Sequence, residues 1–529
     1  VNHIELFAGC GGLSLGLDEA GFELVLANEL SPMAAETFAY NFFGEDLEEL
    51  ANQNQMPAHT FWLNSKNDSL KPRLRENPFE FPAYGAKGCS DLPEEHWEAL
   101  NGNLVVGSII ELNRLLDAKS VLVEQLRSAF GRDGGLDLVS GGPPCQSFSM
   151  AGKREKNSDK NTLPWEFAKF VKHTQPKIAL LENVTGILRP FKDDDGNQFH
   201  AWYEVAKVFA SIGYVPLCLH VNARQAGVAQ NRPRFIMVAV HNEHLATLNG
   251  VLDDASLSLF DKPIAFYNRV QSEVVDQSGD LPFGLLDYID ATKPAGLQKF
   301  TGTFLHPLVG AEVEVSVQEA LDDLKIHIPA QPSAFIQRLN QTFARLGEHP
   351  AGLNHDLRNN SPLVQRRFRL YQVLQQVGDR QVTRAVFSIL KGEADVLPAD
   401  IWDTLSDFEY QHENGELYAF ASKHEFEQYL LAHPTKKQTQ KALIANSPAP
   451  AALSIPDDAC HYDEHELRVL TVREMARIQS FPDNFVFRSK ITTGGQMRKF
   501  EVPQYTQVGN AVPPLLGLAL GKVIAKLLP

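Results

Sequence analysis

The opening residues, "HIELFAGCGGLSLGLDEAGFELVLANE", constrain the fold more than any other stretch of the 529. HIELFA is short and apolar, GCGG is a turn, LSLGLDEAG has helical spacing, and ELVLANE is a second apolar run. Run length and periodicity read this as strand, turn, helix, strand. Two strands joined through a helix lie parallel, so this βαβ unit implies an α/β chain built on a parallel sheet. The alternation continues. "LDLVSGG" is a strand entering a loop, "WEFAKFVKHTQP" a helix and "KIALLEN" a strand. "YEVAKVFASIG" is a helix, and "YVPLCLHVNA" and "RFIMVAV" are strands. The rhythm fades near residue 240 and returns near 470 with "TVREMARIQSF"; "VPPLLGLALGKVIAKLL" closes the chain as an amphipathic helix.

Two stretches interrupt the pattern. Residues 45–100 are polar, with prolines and aromatics, and read as an insertion into the βα repeat. Residues 241–455 carry no βαβ rhythm and read as a second domain, with 456–529 returning to the first. The net charge of −16, taken alone, argues against a nucleic-acid partner. Distribution matters more than the sum. Between Arg338 and Lys391 nine Lys/Arg stand against three acids. That stretch is either a solvated helix face or an electrostatic footprint for nucleic acid. No apolar run approaches the ~20 residues that span a bilayer, and the first residues lack the pattern of a secretory signal. The five cysteines are scattered, without a CxxC pair. This argues against a zinc site or a disulfide framework and for a reducing cytoplasm.

Four motifs carry chemistry. Glycines between a strand and a helix, Gly9, Gly11 and Gly12, either form a tight structural turn or let a nucleotide or nucleoside approach the backbone. Glu29 ends the second strand, where an acid meets ribose hydroxyls in such folds. "GGPPCQSFS" at 141–149 holds Cys145 on a stiff loop, because glycine and proline forbid helix and strand there. A thiol kept only for packing rarely sits so. Glu182 follows an apolar strand at its C-terminal end, either as a helix cap or as a carboxyl group facing a ligand. Arg232 and Arg234 alternate at the start of a strand, pointing two guanidiniums to one side. They are either an edge pair in salt bridges or a clamp on an anion or carbonyl oxygen.

In this order the motifs resemble those of the C5-cytosine DNA methyltransferase family. The match includes FAGCGG at 7–12, GGPPCQSFS at 141–149, ENV at 182–184 and QNRPR at 230–234. It resumes with "LTVREMARIQSFPDNFVF" at 470–487 and "QVGNAVPPLLGLALG" at 507–521. The resemblance implies a Rossmann-like methyltransferase fold, a mostly parallel sheet with helices on both faces, plus a separate target-recognition domain. Residues 1–240 would be catalytic, 241–455 would recognise the target, and 456–529 would return to the catalytic domain. It implies that the Cys145 thiolate adds to C6 of a flipped-out cytosine, so that C5 takes a methyl group from S-adenosylmethionine. Glu182 would contact N3 and the exocyclic amine, Arg234 would bind O2, and Arg232 would support the cysteine loop.

For the cofactor, the resemblance assigns Phe7 and the turn Gly9, Cys10, Gly11 and Gly12. Glu29 would bind the ribose, Leu30 would lie against the adenine, and Ser108, Ile109, Pro144, Leu163, Asn510, Ala511 and Val512 would complete the pocket. Ser108 stands where the family usually has aspartate, and Lys160 supplies the basic residue before Leu163. Gln146, Ser149, Arg366, Arg367 and Arg369 would contact DNA.

The expected partner is double-stranded DNA, read at a short sequence by a monomer of the bacterial cytoplasm. No metal and no membrane are expected. Membership of a restriction–modification or anti-phage system is compatible with this. RNA methylation is a rival, since one branch of the family modifies tRNA, but the large variable region favours DNA. A catalytically silent DNA-binding protein is another, against which Cys145, Glu182 and Arg234 speak. The PPCQ loop and the Gly509-Asn510 pair exclude a dinucleotide oxidoreductase.

Overall fold

The computed structural model describes residues 1–144, 163–192, 196, 198–276, 281–347, 352–435, 440–451 and 453–529. Cys145, Gln146, Ser149 and Lys160 lie outside the described residues. Among the described residues, nine strands make one sheet. In chain order these are β1 (Asn2–Leu6), β2 (Glu23–Glu29), β3 (Thr60–Trp62), β4 (Asn103–Val106), β5 (Leu138–Gly141), β6 (Ile178–Val184), β7 (Tyr214–Asn222), β8 (Pro233–His241) and β9 (Tyr288–Asp290). Their spatial order is β9-β7-β8-β6-β5-β1-β2-β4-β3. Only β8 runs against the others, antiparallel to β6 and β7. The remaining pairs are parallel.

The short strands β1, β4 and β5 are buried along their whole length. Helices cover both faces, which is why these strands read as apolar runs rather than alternating ones. The chain winds outward from β1 through β2 and β4, then crosses back to place β5 beside β1. The order therefore reverses between β1 and β5, and a crevice opens above the carboxyl ends of the strands there.

The closing helix, Pro514–Ala525, packs against Gly12–Glu19, the helix that follows β1. Small residues permit this. A side-chain carbon on Gly16 would stand 2.3 Å from the backbone nitrogen of Leu518. The two ends of the sequence thus share one core, with Leu13 and Leu17 buried beside Leu516, Leu520 and Val523.

Two expected boundaries are corrected. The break at 240/241 falls inside the sheet. β9 pairs with β7, the helix Asp261–Asp276 lies on the helix Ala201–Ser211, and Phe300, Phe304, Leu305 and Leu308 join the sheet's own core. The period-two signal failed because β9 is only three residues long. The 45–100 stretch is likewise not a plain insertion, since Thr60–Trp62 adds a parallel edge strand beside β4.

Beyond these, four helices (Pro362–Val377, Arg380–Leu390, Ala399–Leu405 and Lys423–Leu431) enclose a separate core of Leu370, Val373, Val386, Leu405, Tyr410 and Phe426. Among the described residues no single helix is long and apolar enough to cross a membrane.

Candidate active site

The carboxyl ends of β1, β2, β4, β5 and β6 open onto a cleft of about 430 Å³. Because β8 runs the opposite way, its beginning reaches the same edge, bringing Arg232 and Arg234 to the cleft wall. Phe7, Gly9, Cys10, Glu29, Leu30, Ser108, Ile109, Pro144, Leu163, Glu182, Asn510 and Ala511 line it too. Phe7, Glu29, Leu30 and Ser108 converge from positions far apart in sequence because each lies at or just after the end of a parallel strand, while Asn510 and Ala511 arrive with the returning C-terminal segment.

At one end, backbone amides hold Glu29. Gly9 N donates to its Oε2 at 2.7 Å and Ser31 N to its Oε1 at 2.8 Å. Burial raises this carboxyl above the usual range, and the amides of Ser31, Gly9 and Leu30 pull it back. Each carboxylate oxygen can accept a second bond, so a diol can still be bound. Asn28 fixes β2 to β4 by donating to the carbonyls of Val105 and Gly107, each at 3.0 Å.

Gly11 caps the following helix at φ 98°, where L side chains are strained. Gly11, Gly12 and Val512 are not on the cleft wall. A side-chain carbon on Gly12 would lie 2.2 Å from the Val512 carbonyl oxygen. Gly12 therefore serves close packing of the chain's two ends, and Gly11 close packing on Phe38 and Phe42. Cys10 turns its thiol inward, where Sγ lies 3.7 Å from the Gln507 carbonyl. Ser108 Oγ accepts from Ile110 N at 3.2 Å, capping the helix Ile109–Ala118. One of its lone pairs is thus committed to the fold.

At the other end, Arg234 Nε meets Glu182 Oε1 at 2.7 Å, both nearly buried. Asn183 Nδ2 donates to the Pro143 carbonyl at 3.0 Å, tethering the segment that leads to Cys145. Its role was not read from the sequence, although the Glu-Asn-Val run was the available signal. Gly142 lies so close to Glu182 that a side-chain carbon there would stand 2.8 Å from Oε2. The Arg232 guanidinium donates to the carbonyls of Gly509 at 2.7 Å, Ala511 at 3.1 Å and Ala451 at 3.3 Å. It locks the returning C-terminal segment beside the cleft. The four described cysteines are free. Burial pushes the thiols of Cys10, Cys218 and Cys460 up, away from the reactive thiolate form.

Behind the glycine turn, buried Glu5 accepts from the Ser14 hydroxyl. Burial raises its carboxyl from the ordinary 4.5 to about 8. The native state therefore keeps a proton that the unfolded chain releases. Stability from this group is fully present below about pH 4.5 and falls as pH rises toward 8. Glu5→Gln should flatten that decline, by an amount on the order of a few kcal/mol across the window. Urea midpoints measured at pH 5 and pH 8 check this; equal slopes in both proteins would refute it.

The basic stretch divides. Arg338, Arg345, Arg358, Arg380, Arg384 and Lys391 are exposed, and Arg366 and Arg367 are half-buried. Arg369 is buried, contrary to its expected place on DNA. It donates to the Glu409 carbonyl at 2.8 Å and to Gln372 Oε1 at 3.3 Å, and meets Glu464 Oε2 at 3.3 Å. Its helical position explains this, because residue 369 shares a face with Val373 four residues on, and Val373 is core. The cleft also takes in Pro78, Phe79 and residues 498–502, none of which the motifs indicated.

A family model described as C-5 cytosine-specific DNA methylase matches residues 1–62, 123–283 and 353–526. Among curated proteins, the chain is similar to the type II methyltransferase M1.HphI of Haemophilus parahaemolyticus, at 24% identity over 100% of this chain and 87% of that protein. It is also similar to the type II methyltransferase M.DdeI of Desulfomicrobium norvegicum, at 24% identity over 99% of this chain and 88% of that one. Among solved structures, the S. pombe Dnmt2 methyltransferase aligns with 100% of this chain and 99% of its own, at 12% identity and a TM-score of 0.41. With the family model covering most of its length, including the ends of β1, β2, β5 and β6 at the cleft, the chain belongs to the C-5 cytosine-specific DNA methylase family.

Proposed function

We propose that the protein transfers a methyl group from S-adenosylmethionine to C5 of a flipped-out cytosine in a short double-stranded DNA sequence. The observation that carries this reading is the shared cleft. Glu29 sits at one end, and the Glu182–Arg234 pair sits at the other, beside the tethered segment leading to Cys145. The donor set fits the cofactor. Glu29 is held with acceptor capacity toward a diol, Gly9 leaves open space beside it, and Phe7 and Leu30 give apolar walls. When bound, S-adenosylmethionine supplies an electrophilic methyl group.

The protein's residues prepare the base. Cytosine C5 is a poor nucleophile within an aromatic ring. Addition of the Cys145 thiolate to C6 moves the ring's electron pair toward N3 and leaves an enamine that takes the methyl group at C5. A base such as water then removes the C5 proton, and the freed pair re-forms the C5–C6 double bond and expels the thiolate. Glu182 accepts from the exocyclic amine and faces N3. Arg234 spends Nε on Glu182 and Nη1 on the Pro233 carbonyl, two of its five N–H donors, and directs the others toward O2. The Asn183 tether limits the positions the cysteine loop can take, so attack starts from a restricted geometry. The base must leave the duplex to reach a cleft this buried. The exposed arginines between 338 and 391 would meet phosphates. The chain's similarity to type II methyltransferases supports a role in a restriction–modification or anti-phage system.

Bisulfite sequencing of DNA from a host expressing the protein tests the reading. Protected cytosines at one short recurring sequence are expected. Unmodified DNA alongside newly methylated tRNA would move the substrate to RNA.

A further inference from the structure

Phe79 is 60% exposed, yet it lines the cleft. Resting on the cofactor reading above, we propose that Phe79 is a wall of the cofactor pocket that closes over the bound nucleoside. A single exposed aromatic is ordinary on a protein surface. This one is held in place by the turn that presents it. Asn77 accepts from the Phe79 amide at 3.1 Å and donates to Glu80 at 3.2 Å. Lys66 bridges to Glu80 at 2.6 Å through its ammonium and to Glu76 at 2.9 Å through its amide.

The turn is also anchored at a defined place. Arg75 pairs with Glu36 at 2.8 Å, and the Glu36 side chain is 2% exposed. Glu36 belongs to the helix Pro32–Phe43, which begins just after Leu30 and Ser31. Leu30, Ser31 and Ala34 line the cleft as well. The anchor ties the turn to the helix that follows Glu29, the end where the nucleoside would lie. A planar purine is the occupant that an aromatic ring at this place suits, by offset stacking. The family model leaves residues 63–122, Phe79 among them, unmatched.

The test is calorimetry on the full-length protein with S-adenosylhomocysteine and with 5′-methylthioadenosine, which keeps the nucleoside and lacks the amino-acid end. Phe79→Ala should weaken both by about tenfold, with the unfolding midpoint little changed, because the ring is mostly exposed. Phe79→Trp should bind both about as tightly as the original protein, and its fluorescence should change on addition of either ligand. Wild-type affinity for both ligands in Phe79→Ala would overturn the proposal and leave the cofactor reading standing. So would a loss confined to S-adenosylhomocysteine. An original protein that binds neither ligand would overturn the cofactor reading itself, and the proposal with it.

Discussion

Cys145→Ala should lower methyl transfer by at least about three orders of magnitude, with S-adenosylhomocysteine binding nearly unchanged. The loss is large because no other group replaces a nucleophile whose role is covalent. Cys10, Cys218 and Cys460 are buried, and burial disfavours their thiolates. Cys145 alone follows two glycines and two prolines, on a segment whose Pro143 carbonyl is held by Asn183. A duplex carrying 5-fluorocytosine separates chemistry from binding. Fluorine cannot leave as a proton does, so the original protein should stay covalently attached to the DNA in the presence of cofactor. Cys145→Ala should not. Substantial activity in that variant, or a covalent complex formed by it, would remove Cys145 from the mechanism.

Arg234→Ala should cost both stability and activity. Arg234 and Glu182 form a buried ion pair at 2.7 Å. Removing one partner leaves the other charge in a poorly solvated place, a loss of about 3 kcal/mol or more. Replacing both, as Glu182→Gln with Arg234→Met, removes the stranded charge and should recover part of the urea midpoint. It should recover no methyl transfer, because the donors toward O2 and the carboxylate toward the amine are both gone. Recovery of stability without activity would show that the pair acts on the base beyond holding the fold. If Arg234→Ala kept the original midpoint and its activity within about tenfold, the pair would be neither structural nor catalytic.

Much of the catalytic body was legible from local signals. The first 29 residues specified β1, its glycine turn, a helix and β2, because apolar run length and glycine placement act over a few residues. β6, β7 and β8 were legible for the same reason, as long apolar runs. The motif order carried the family. Tertiary structure decided what depends on distant partners. β3 and β9 are three residues each and gain their hydrogen bonds only from β4 and β7, so no local pattern marked them. Arg369 looked like a surface charge within a basic run, until its helix was packed and Glu409, Gln372 and Glu464 surrounded it. Gly12 looked like part of a ligand cradle, but the Val512 carbonyl, five hundred residues later, occupies the space beside it. By itself the sequence determined the fold class and the glycine turn, because backbone preference and side-chain type are local properties. Only the folded chain decided that Glu29, Asn183, Arg232, Arg234 and Phe79 meet around one cleft, because the sheet aligns the ends of its parallel strands with the start of the antiparallel β8, and the turn carrying Phe79 is anchored beside them, although the sequence keeps all of them apart.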